Sequence, residues 1–453
     1  MGKRPNILFL MSDEHRFDVS GFMGNEVVRT PFLDSLARDA VVFDNAYSPY
    51  PVCIPARQCM AAGQYARHCR VEHFGEDLAP NYQTLPRIFG HSGYKTAAAG
   101  KLHHMGVDQM QGWQIRLAGD TQVANSYYGN QKGNRILHKW DDRKEILRAS
   151  PGESAYARRD KLAIQATKDF IYEQFVDAFY DRADPEEPLF LYVGLLNPHY
   201  PYIAEERKFN YYLNRVQLYE NQTPFPHSFL GRCANCEALE VGKNISERDV
   251  RRAMAAYYAN IETIDEQFSE VVSCLQEAGQ NMDDWIIIYT TDHGEMLGEH
   301  AVWEKQKFFE GSVRIPLLIR YPKVYGPSRC AQNVNLIDLF PTLCEMCGIQ
   351  QPEGLDGISL VPWLGKETGR GPNLTYSQYS HDCLMIKKDQ LKYQWYGYEE
   401  SEVLFDLEKD PGENTDYSLD PSYEKKMEQF RRWKECYWRE DWNHLREENM
   451  DRR

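Results

Sequence analysis

No stretch of this 453-residue chain approaches the ~18–20 consecutive apolar residues that span a bilayer, so no membrane-spanning helix is expected. The first residues, MGKRPNILFLMSDEH, have a basic start and a short apolar run. That run meets acidic residues at once and lacks a small-residue cleavage site, which argues against a signal peptide. Positive charge is also scarce. Lys and Arg number 52 against 67 Asp and Glu, a net charge of −15, which excludes a general nucleic-acid surface because phosphate binding needs clustered cations. A small anionic substrate stays open, since local charge in a cleft outweighs a global sum. No internal repeat or low-complexity segment is present. The eleven cysteines, without a signal peptide, suggest reduced thiols and a cytoplasmic location. Cys233/Cys236 and Cys344/Cys347 each read C-x-x-C. The second pair, however, lies in an apolar helical pattern ending at a glycine, and neither follows a strand in a thioredoxin-like setting, so neither zinc nor redox chemistry is assigned.

What the chain does contain is ordinary for a soluble globular protein, with 42% hydrophobic and 26% charged residues and length enough for more than one domain. Asn6 to Met11 is a continuous apolar run of strand length, as in a buried parallel strand. Thr30 to Ala40 predicts a helix with Thr30 as cap and Pro31 in its first position. Further strands are expected at Val41–Tyr47, Tyr94–Ala99, Pro188–Leu196, Trp285–Tyr289 and Pro316–Arg320. Helices are expected at Leu85–Gly93, Asp160–Tyr180 and Ser246–Gly279. Asp108–Ser150 reads as a long insertion and Glu205–Asn244 as an irregular rim. This alternation predicts an α/β fold, a mostly parallel sheet with helices on both faces. After about residue 365 the character changes to short antiparallel strands (Met385–Tyr398, Val403–Asp406) and an aromatic-rich helix, Pro421–Trp442. The expected division is therefore 1–365 for the catalytic α/β domain and 366–453 for a small C-terminal subdomain. The aromatics from Trp433 to Trp442 suit a homo-oligomer interface or ordinary packing equally.

Four strands end in polar side chains: Asp13 and Glu14, Lys101 and His103, His199, and Asp292 with His293. Ligands bind at the carboxyl ends of strands in such sheets. The acids are hard oxygen ligands suited to Ca²⁺ or Mg²⁺, whereas His293 also accepts Mn²⁺ or Zn²⁺. A fifth strand leads into Tyr50–Gly63, YPVCIPARQCMAAG, which places Cys53 at a helix entrance with Pro55 and Arg57 within a turn. A helix N-terminus favours an anion. By itself the stretch reads either as a buried structural cysteine or as a reactive side chain beside a fixed cation.

The pattern C-x-P-x-R, closed by Gly63, resembles the maturation signature of the formylglycine-dependent sulfatases; Ala56 and Ala62 stand where serine and threonine are common. PNILFLMSDEH, GYKTAAAGKLHH, NPHYPY, TTDHGEMLGEH, VWEKQKFFEGSVRIPLLI and LFDLEKDPGE fall in the order expected of that family within the alkaline phosphatase superfamily. GKLHHMGVDQMQGW and DHGEMLGE look most like choline sulfatases and related bacterial enzymes.

The resemblance implies that a maturase oxidises Cys53 to formylglycine, whose hydrate attacks sulfur and later expels sulfate by C–O cleavage. It implies a divalent metal, calcium first with Mn²⁺ or Mg²⁺ as alternatives, held by Asp13, Glu14, Asp292, His293 and the matured Cys53. The family often has Asn where His293 stands. Arg57, Lys101 and Lys305 would neutralise sulfuryl charge, with Lys307 the poorer match for that last role. His199 would protonate the leaving oxygen and His103 would act as base for release. His104 and His300 read as supporting or surface residues, His15 and Arg16 as rim, and His73 has no role. The implied activity is hydrolysis of a small sulfate ester, a sulfated sugar before choline sulfate. A phosphonate or phosphate ester hydrolase on the same scaffold, or an idle binder of sulfated ligands, are the rivals.

Overall fold

The computed structural model describes residues 4–118, 120, 142–177, 179, 181–182, 185–225, 238–365 and 371–439. Fourteen strands occur among them: β1 (Asn6–Asp13), β2 (Val41–Tyr47), β3 (Lys95–Gly100), β4 (Ile115–Arg116), β5 (Ser150–Pro151), β6 (Leu189–Pro198), β7 (Ile203–Ala204), β8 (Trp285–Thr291), β9 (Arg314–Arg320), β10 (Ser328–Asn335), β11 (Leu374–Tyr379), β12 (Cys383–Lys388), β13 (Leu391–Tyr396) and β14 (Ser401–Asp406). Eight build the central sheet in the order β10-β2-β9-β8-β1-β6-β3-β4. All its pairings are parallel except those of β9, which runs against both β2 and β8. The expected mostly parallel sheet is what the chain forms.

Alternation along β1 feeds two cores. Ile7, Phe9 and Met11 enter the one that also holds residues of α3 (Leu85–His91) and α7 (Leu339–Met346). Leu8 and Leu10 enter the opposite one, under α1 (Pro31–Arg38), α4 (Ala155–Phe175) and α6 (Glu247–Glu277). Apolar burial on both faces explains why these strands read as continuous apolar runs. The second sheet, β11-β12-β13-β14, is a purely antiparallel meander packed with α8 (Glu424–Trp438).

Several boundaries differ from the sequence expectation, each for a local reason. Thr30 makes no cap hydrogen bond; its hydroxyl donates to Asp34 Oδ1 at 3.0 Å. Helix α4 begins at Ala155, not Asp160, because Ser154 accepts the Ala157 amide, and it ends at Phe175. The segment expected to be irregular after Glu205 contains α5 (Glu206–Leu213), capped by Glu205 accepting the Arg207 and Lys208 amides. β10 is a strand that its polar sequence, SRCAQNVN, conceals, since an edge strand need bury only part of one face. Met385–Tyr398 separates into β12 and β13, and β11 precedes them. Most of the 108–150 insertion, Cys233, Cys236 and Trp442 lie outside the described residues. Cys344 and Cys347 are buried in the core with α7. Trp433 and Tyr437 are buried against the meander. No helix among the described residues is long and apolar enough to cross a membrane.

Candidate active site

Helix α2 (Cys53–Ala62) carries the site's central residue, and it is buried almost throughout. Ile54, Ala56, Cys59 and Ala62 pack into one apolar cluster with the antiparallel meander and α8. Small residues at 56 and 62 suit that close packing. Pro55 lies in the first turn, where its missing N–H costs no intrahelical bond. Gly63 ends the helix at φ 65°, where a Cβ would stand 2.8 Å from Leu355 and 2.9 Å from Phe340 side-chain atoms, so glycine is required twice over.

Five strand ends converge around Cys53. β1 delivers Asp13 and Glu14, β3 Lys101 and His103, β6 His199, β8 Asp292 and His293, and β2 leads to Cys53 itself. Gly100, at φ 75°, turns β3 so closely past β6 that a Cβ would sit 1.9 Å from the Gly194 carbonyl oxygen. Ligating atoms of Asp13, Cys53, Asp292 and His293 all lie within 4.8 Å of one another, fully enclosed. His293 Nδ1 sits 3.0 Å from the Gly294 carbonyl, so it carries the proton, and its bare Nε2 faces Cys53 Sγ at 3.2 Å. Glu14 is not in that foursome. Its Oε2 receives Lys305 Nζ at 2.7 Å and lies 3.2 Å from His199 Nε2.

The cations hold the acids in place. Arg57 donates from Nε to Asp292 Oδ2 at 2.8 Å, from Nη1 to Tyr192 Oη at 2.8 Å and the Lys101 carbonyl at 3.0 Å, and from Nη2 to the Ser12 carbonyl at 3.0 Å. Lys101 Nζ pairs with Asp13 Oδ2. Lys305 Nζ also donates to His199 Nε2 at 2.8 Å, while His199 Nδ1 donates to the Tyr200 carbonyl at 2.7 Å. Arg57, Lys101 and Lys305 thus each face a carboxylate of Asp292, Asp13 or Glu14.

Electrostatics follow from burial. Burial, then repulsion from Asp292, pushes Asp13 up to about 6 against the pull of Lys101 and Arg57. Burial would raise Asp292 too, but Arg57, His293 and Lys101 together hold it well below the usual carboxylate range. Burial, aided by Glu295 and Glu304, raises Glu14 despite Lys305. Burial lowers His293 to about 3, and burial with Lys305 and Lys101 depresses His199 strongly. Burial and Asp13 push the Cys53 thiol up, so as a thiol it is a poor nucleophile. Asp13 Oδ1 and Glu14 Oε1 are buried without a hydrogen-bond donor. Two repelling carboxylates, orphaned oxygens and one bare imidazole nitrogen are the donor set a divalent cation satisfies.

A model of the sulfatase family matches residues 5–349 of the chain. The chain belongs to the sulfatase family. As a sulfatase it is a sulfuric ester hydrolase. A second model, the C-terminal region of N-sulphoglucosamine sulphohydrolase, matches residues 298–435. The sulfatase is 30% identical over 441 residues to a choline-sulfatase of Rhizobium meliloti (strain 1021), covering 92% of this chain and 83% of that one. It is 27% identical to an arylsulfatase of Clostridium perfringens (strain 13 / Type A), covering 95% and 93%. Its fold is shared with a phosphonate monoester hydrolase of Agrobacterium radiobacter, at TM-score 0.76, 24% identity and 97% and 96% coverage. It is also shared with a structure solved with D-glucosamine-2-N,6-O-disulfate as its substrate, at TM-score 0.75, 20% identity and 98% and 99% coverage.

Structural support in this sulfatase comes partly from residues that sequence reasoning did not single out. Asp120 accepts the amides of Leu102 and His103, and so fixes the turn in which His103 sits at φ 66°. Glu295 accepts the amides of Leu297 and Glu304 at 2.9 and 2.6 Å, and Gln306 N donates to the Pro51 carbonyl at 3.0 Å. These bonds hold Lys305 between two left-handed residues, Glu304 at φ 60° and Gln306 at φ 72°. Asp160 accepts the amides of Leu196 and Asn197 just before His199. Asp120 and Asp160 sit in none of the motifs, and Glu295 lies within TTDHGEMLGEH without a role read from it, so their spatial partners reveal them. His15 and Arg16, expected at the rim, are buried: His15 bonds Tyr289 and the Val19 carbonyl, and Arg16 clamps the Glu295 and Met296 carbonyls. His300, expected to be supporting or surface, is buried and stacked on Phe309 with ring centroids 4.1 Å apart. His104 is buried as well, with Nδ1 3.0 Å from the Gln109 carbonyl. Lys307 Nζ donates to the Trp303 and Lys305 carbonyls at 2.7 and 2.8 Å.

Proposed function

We propose that this sulfatase hydrolyses a small organic sulfate, a sulfated sugar before choline sulfate, with formylglycine at position 53 and a divalent cation, calcium first. The observation that carries this is the position of Cys53 among Asp13, Asp292 and His293. A thiol whose ionisation is suppressed there has little chemistry of its own, whereas an aldehyde hydrate at that position has a nucleophilic hydroxyl and a second one for expelling sulfate. Asp13, Asp292, His293 and residue 53 would hold the cation with Glu14 alongside; when bound, it polarises the sulfuryl oxygens and eases ionisation of the hydroxyl at residue 53.

The chain's own groups do the rest. Arg57 and Lys101 fix the orientation of Asp292 and Asp13 and place positive charge where the sulfuryl group develops negative charge. Lys305 serves the same end from the other side and shares a proton with His199, which stands at the leaving oxygen. His103, held by Asp120 through its amide, is the base for release of sulfate. We assign residues 1–365 to the catalytic domain and 366–453 to a C-terminal subdomain. A reducing, cytoplasmic setting accords with the buried thiols of Cys59 and Cys69, whose sulfurs lie 3.8 Å apart without a disulfide bond.

The test is maturation itself. After coexpression with a formylglycine-generating maturase, the tryptic peptide containing Cys53 should weigh about 18 Da less than the thiol form. Unmodified thiol together with full sulfatase activity refutes the mechanism. Paired kcat/KM values for an aryl sulfate and an aryl phosphonate ester separate the sulfatase from a phosphonate hydrolase.

A further inference from the structure

Lys392 is fully buried, an unusual place for an ammonium group unless acids are buried with it. It lies on β13, between β12 and β14 in the meander, and directly opposite Lys387 of β12, which is buried as well. Two lysines facing each other away from water repel, so that face of the meander needs anions. Two arrive, from distant parts of the chain. Lys392 Nζ donates to Glu310 Oε1 at 3.0 Å and to Glu413 Oε1 at 2.8 Å. The Glu310 amide donates to Glu413 Oε2 at 2.6 Å, and Tyr47 Oη donates to Glu310 Oε2 at 3.0 Å. The motifs VWEKQKFFEGSVRIPLLI and LFDLEKDPGE thus each give one glutamate to the same lysine.

The rest of that strand face grips the same stretch. Lys392, Gln394 and Tyr396 alternate along β13 and so share one side of the sheet. Gln394 Nε2 donates to the Phe308 carbonyl at 3.3 Å, and the Tyr396 and Phe308 ring centroids lie 5.9 Å apart. What they hold is the stretch that carries Lys305. Residues 302–309 form no helix or strand, so external ties set where Lys305 stands. Near its start, the Gln306 amide donates to the carbonyl of Pro51, two residues before Cys53. Near its end, the amide of Gly294, next to His293, donates to the Ser312 carbonyl at 2.8 Å. Residues 306–312 therefore bridge the approach to Cys53 and the end of β8, and the meander clamps the middle of the bridge.

Resting on the sulfatase reading above, we propose that Lys392 is a positioning residue for the reaction. Through Glu310 and Phe308 it sets where Lys305 Nζ stands relative to Glu14 and His199. Lys392 touches neither substrate nor reacting atoms. It joins Glu310, five residues after Lys305, to Glu413 of the C-terminal part. Charges joined in this way resist displacement, because moving one strands the others unpaired in low dielectric. Without the lysine, Glu310 and Phe308 are free to shift and Lys305 shifts with them. Its ammonium then stands out of line with His199 and the leaving oxygen, where a misplacement of about 1 Å costs up to ~10²-fold in rate.

Two aryl esters of matched shape test it in the matured, metal-loaded enzyme. 4-Nitrophenyl sulfate releases its leaving group as an anion, whereas the more basic leaving oxygen of phenyl sulfate needs the proton held by Lys305 and His199. Lys392→Met should lower kcat about tenfold more for phenyl sulfate than for 4-nitrophenyl sulfate. KM for either should change less than about threefold, since Lys305 acts on the transition state. The ratio of the two kcat values within one variant is blind to the fraction of enzyme that is folded, which is all that a merely structural role would change. Lys392→Arg keeps a cation between the glutamates and should return the ratio to within about threefold of wild type. Gln394→Leu cuts the tie to Phe308 without stranding a charge; it should move the ratio the same way by about threefold, and it carries the test if Lys392→Met does not fold. A wild-type ratio in folded Lys392→Met, or in Gln394→Leu where Lys392→Met is insoluble, overturns the positioning role, while turnover of both esters by wild type leaves the sulfatase reading intact. No turnover of either ester by wild type overturns both.

Discussion

Lys305 Nζ lies 2.8 Å from His199 Nε2, and the lysine is the donor. His199 keeps its proton on Nδ1 and donates it in a hydrogen bond to the Tyr200 carbonyl, leaving Nε2 as an acceptor. It is therefore a neutral acceptor in the resting site, kept so by burial and by the cations of Lys305 and Lys101. In the proposed mechanism, the proton for the leaving oxygen would reside on the pair, not on the imidazole alone. His199→Ala should cost about 10²–10⁴ in kcat for an alkyl sulfate, whose leaving oxygen needs a proton. The loss should be far smaller for 4-nitrophenyl sulfate, whose leaving group departs as an anion. Equal losses for the two esters would remove His199 from proton delivery.

Arg57 spends its guanidinium on Asp292, Tyr192 and two carbonyls, all inside the protein. Removing it leaves Asp292 buried and unpaired. Arg57→Met should therefore destabilise the apoprotein by about 3–5 kcal/mol, the range for breaking a buried pair from one side. Arg57→Lys should recover part of that, since a single ammonium cannot reproduce four directed donations. Chemical denaturation without added metal reads this directly, and a change below about 1 kcal/mol would mean the pair is replaceable.

The cluster of Asp13, Asp292 and His293 should bind a divalent cation with a thermal signature independent of turnover. At a hundred times its dissociation constant a ligand stabilises by about 2.7 kcal/mol, so calcium should raise the melting temperature of wild type by a few degrees. Asp292→Asn should abolish the shift. Chelation should remove activity and calcium restore it; restoration by manganese or magnesium alone would reassign the ion. No shift with any of the three would remove the metal from this site.

Four buried carboxyls outside the site, those of Asp160, Asp265, Asp338 and Glu413, are each pushed up to about 7, in every case chiefly by burial. An acid whose folded value is raised binds its proton more tightly in the folded state. Its stabilising contribution is complete below the unfolded value near 4 and is lost as pH rises through about 7. Stability should thus decline between pH 5 and 8 by roughly 1 kcal/mol per unit for each such group. Asp338 accepts the Ile358 and Asn335 amides at 2.8 and 2.7 Å, and Asp338→Asn should flatten its share of that slope. An unchanged slope in the variant would show that Asp338 titrates normally.

Sequence alone determined much of this protein. Strands such as β1 and β6 are buried on both faces and so announce themselves as unbroken apolar runs, and the polar residues that end them are the ones the sheet brings together. The family motifs named Cys53, Arg57, Lys101, Asp292 and their neighbours by spacing. Local pattern failed where the stabilising partner is remote. β10 is polar yet pairs with β2, and α5 is set by a cap that sits in an otherwise irregular stretch. Asp120 and Glu295 act through amides that no periodicity marks.

Tertiary structure decided the electrostatics and the seat of Lys305. Whether Glu14 faces Cys53 or Lys305 depends on a left-handed backbone at φ 64° and on a loop nearly three hundred residues away. The meander after residue 371 brings Lys392 and Gln394 against Glu310 and Phe308, residues separated by some eighty positions that share no pattern. Composition records how many lysines and acids a chain has. Only folding sets which of them face one another across a few ångströms of low-dielectric space, and that distance fixes how the site beside Cys53 is held.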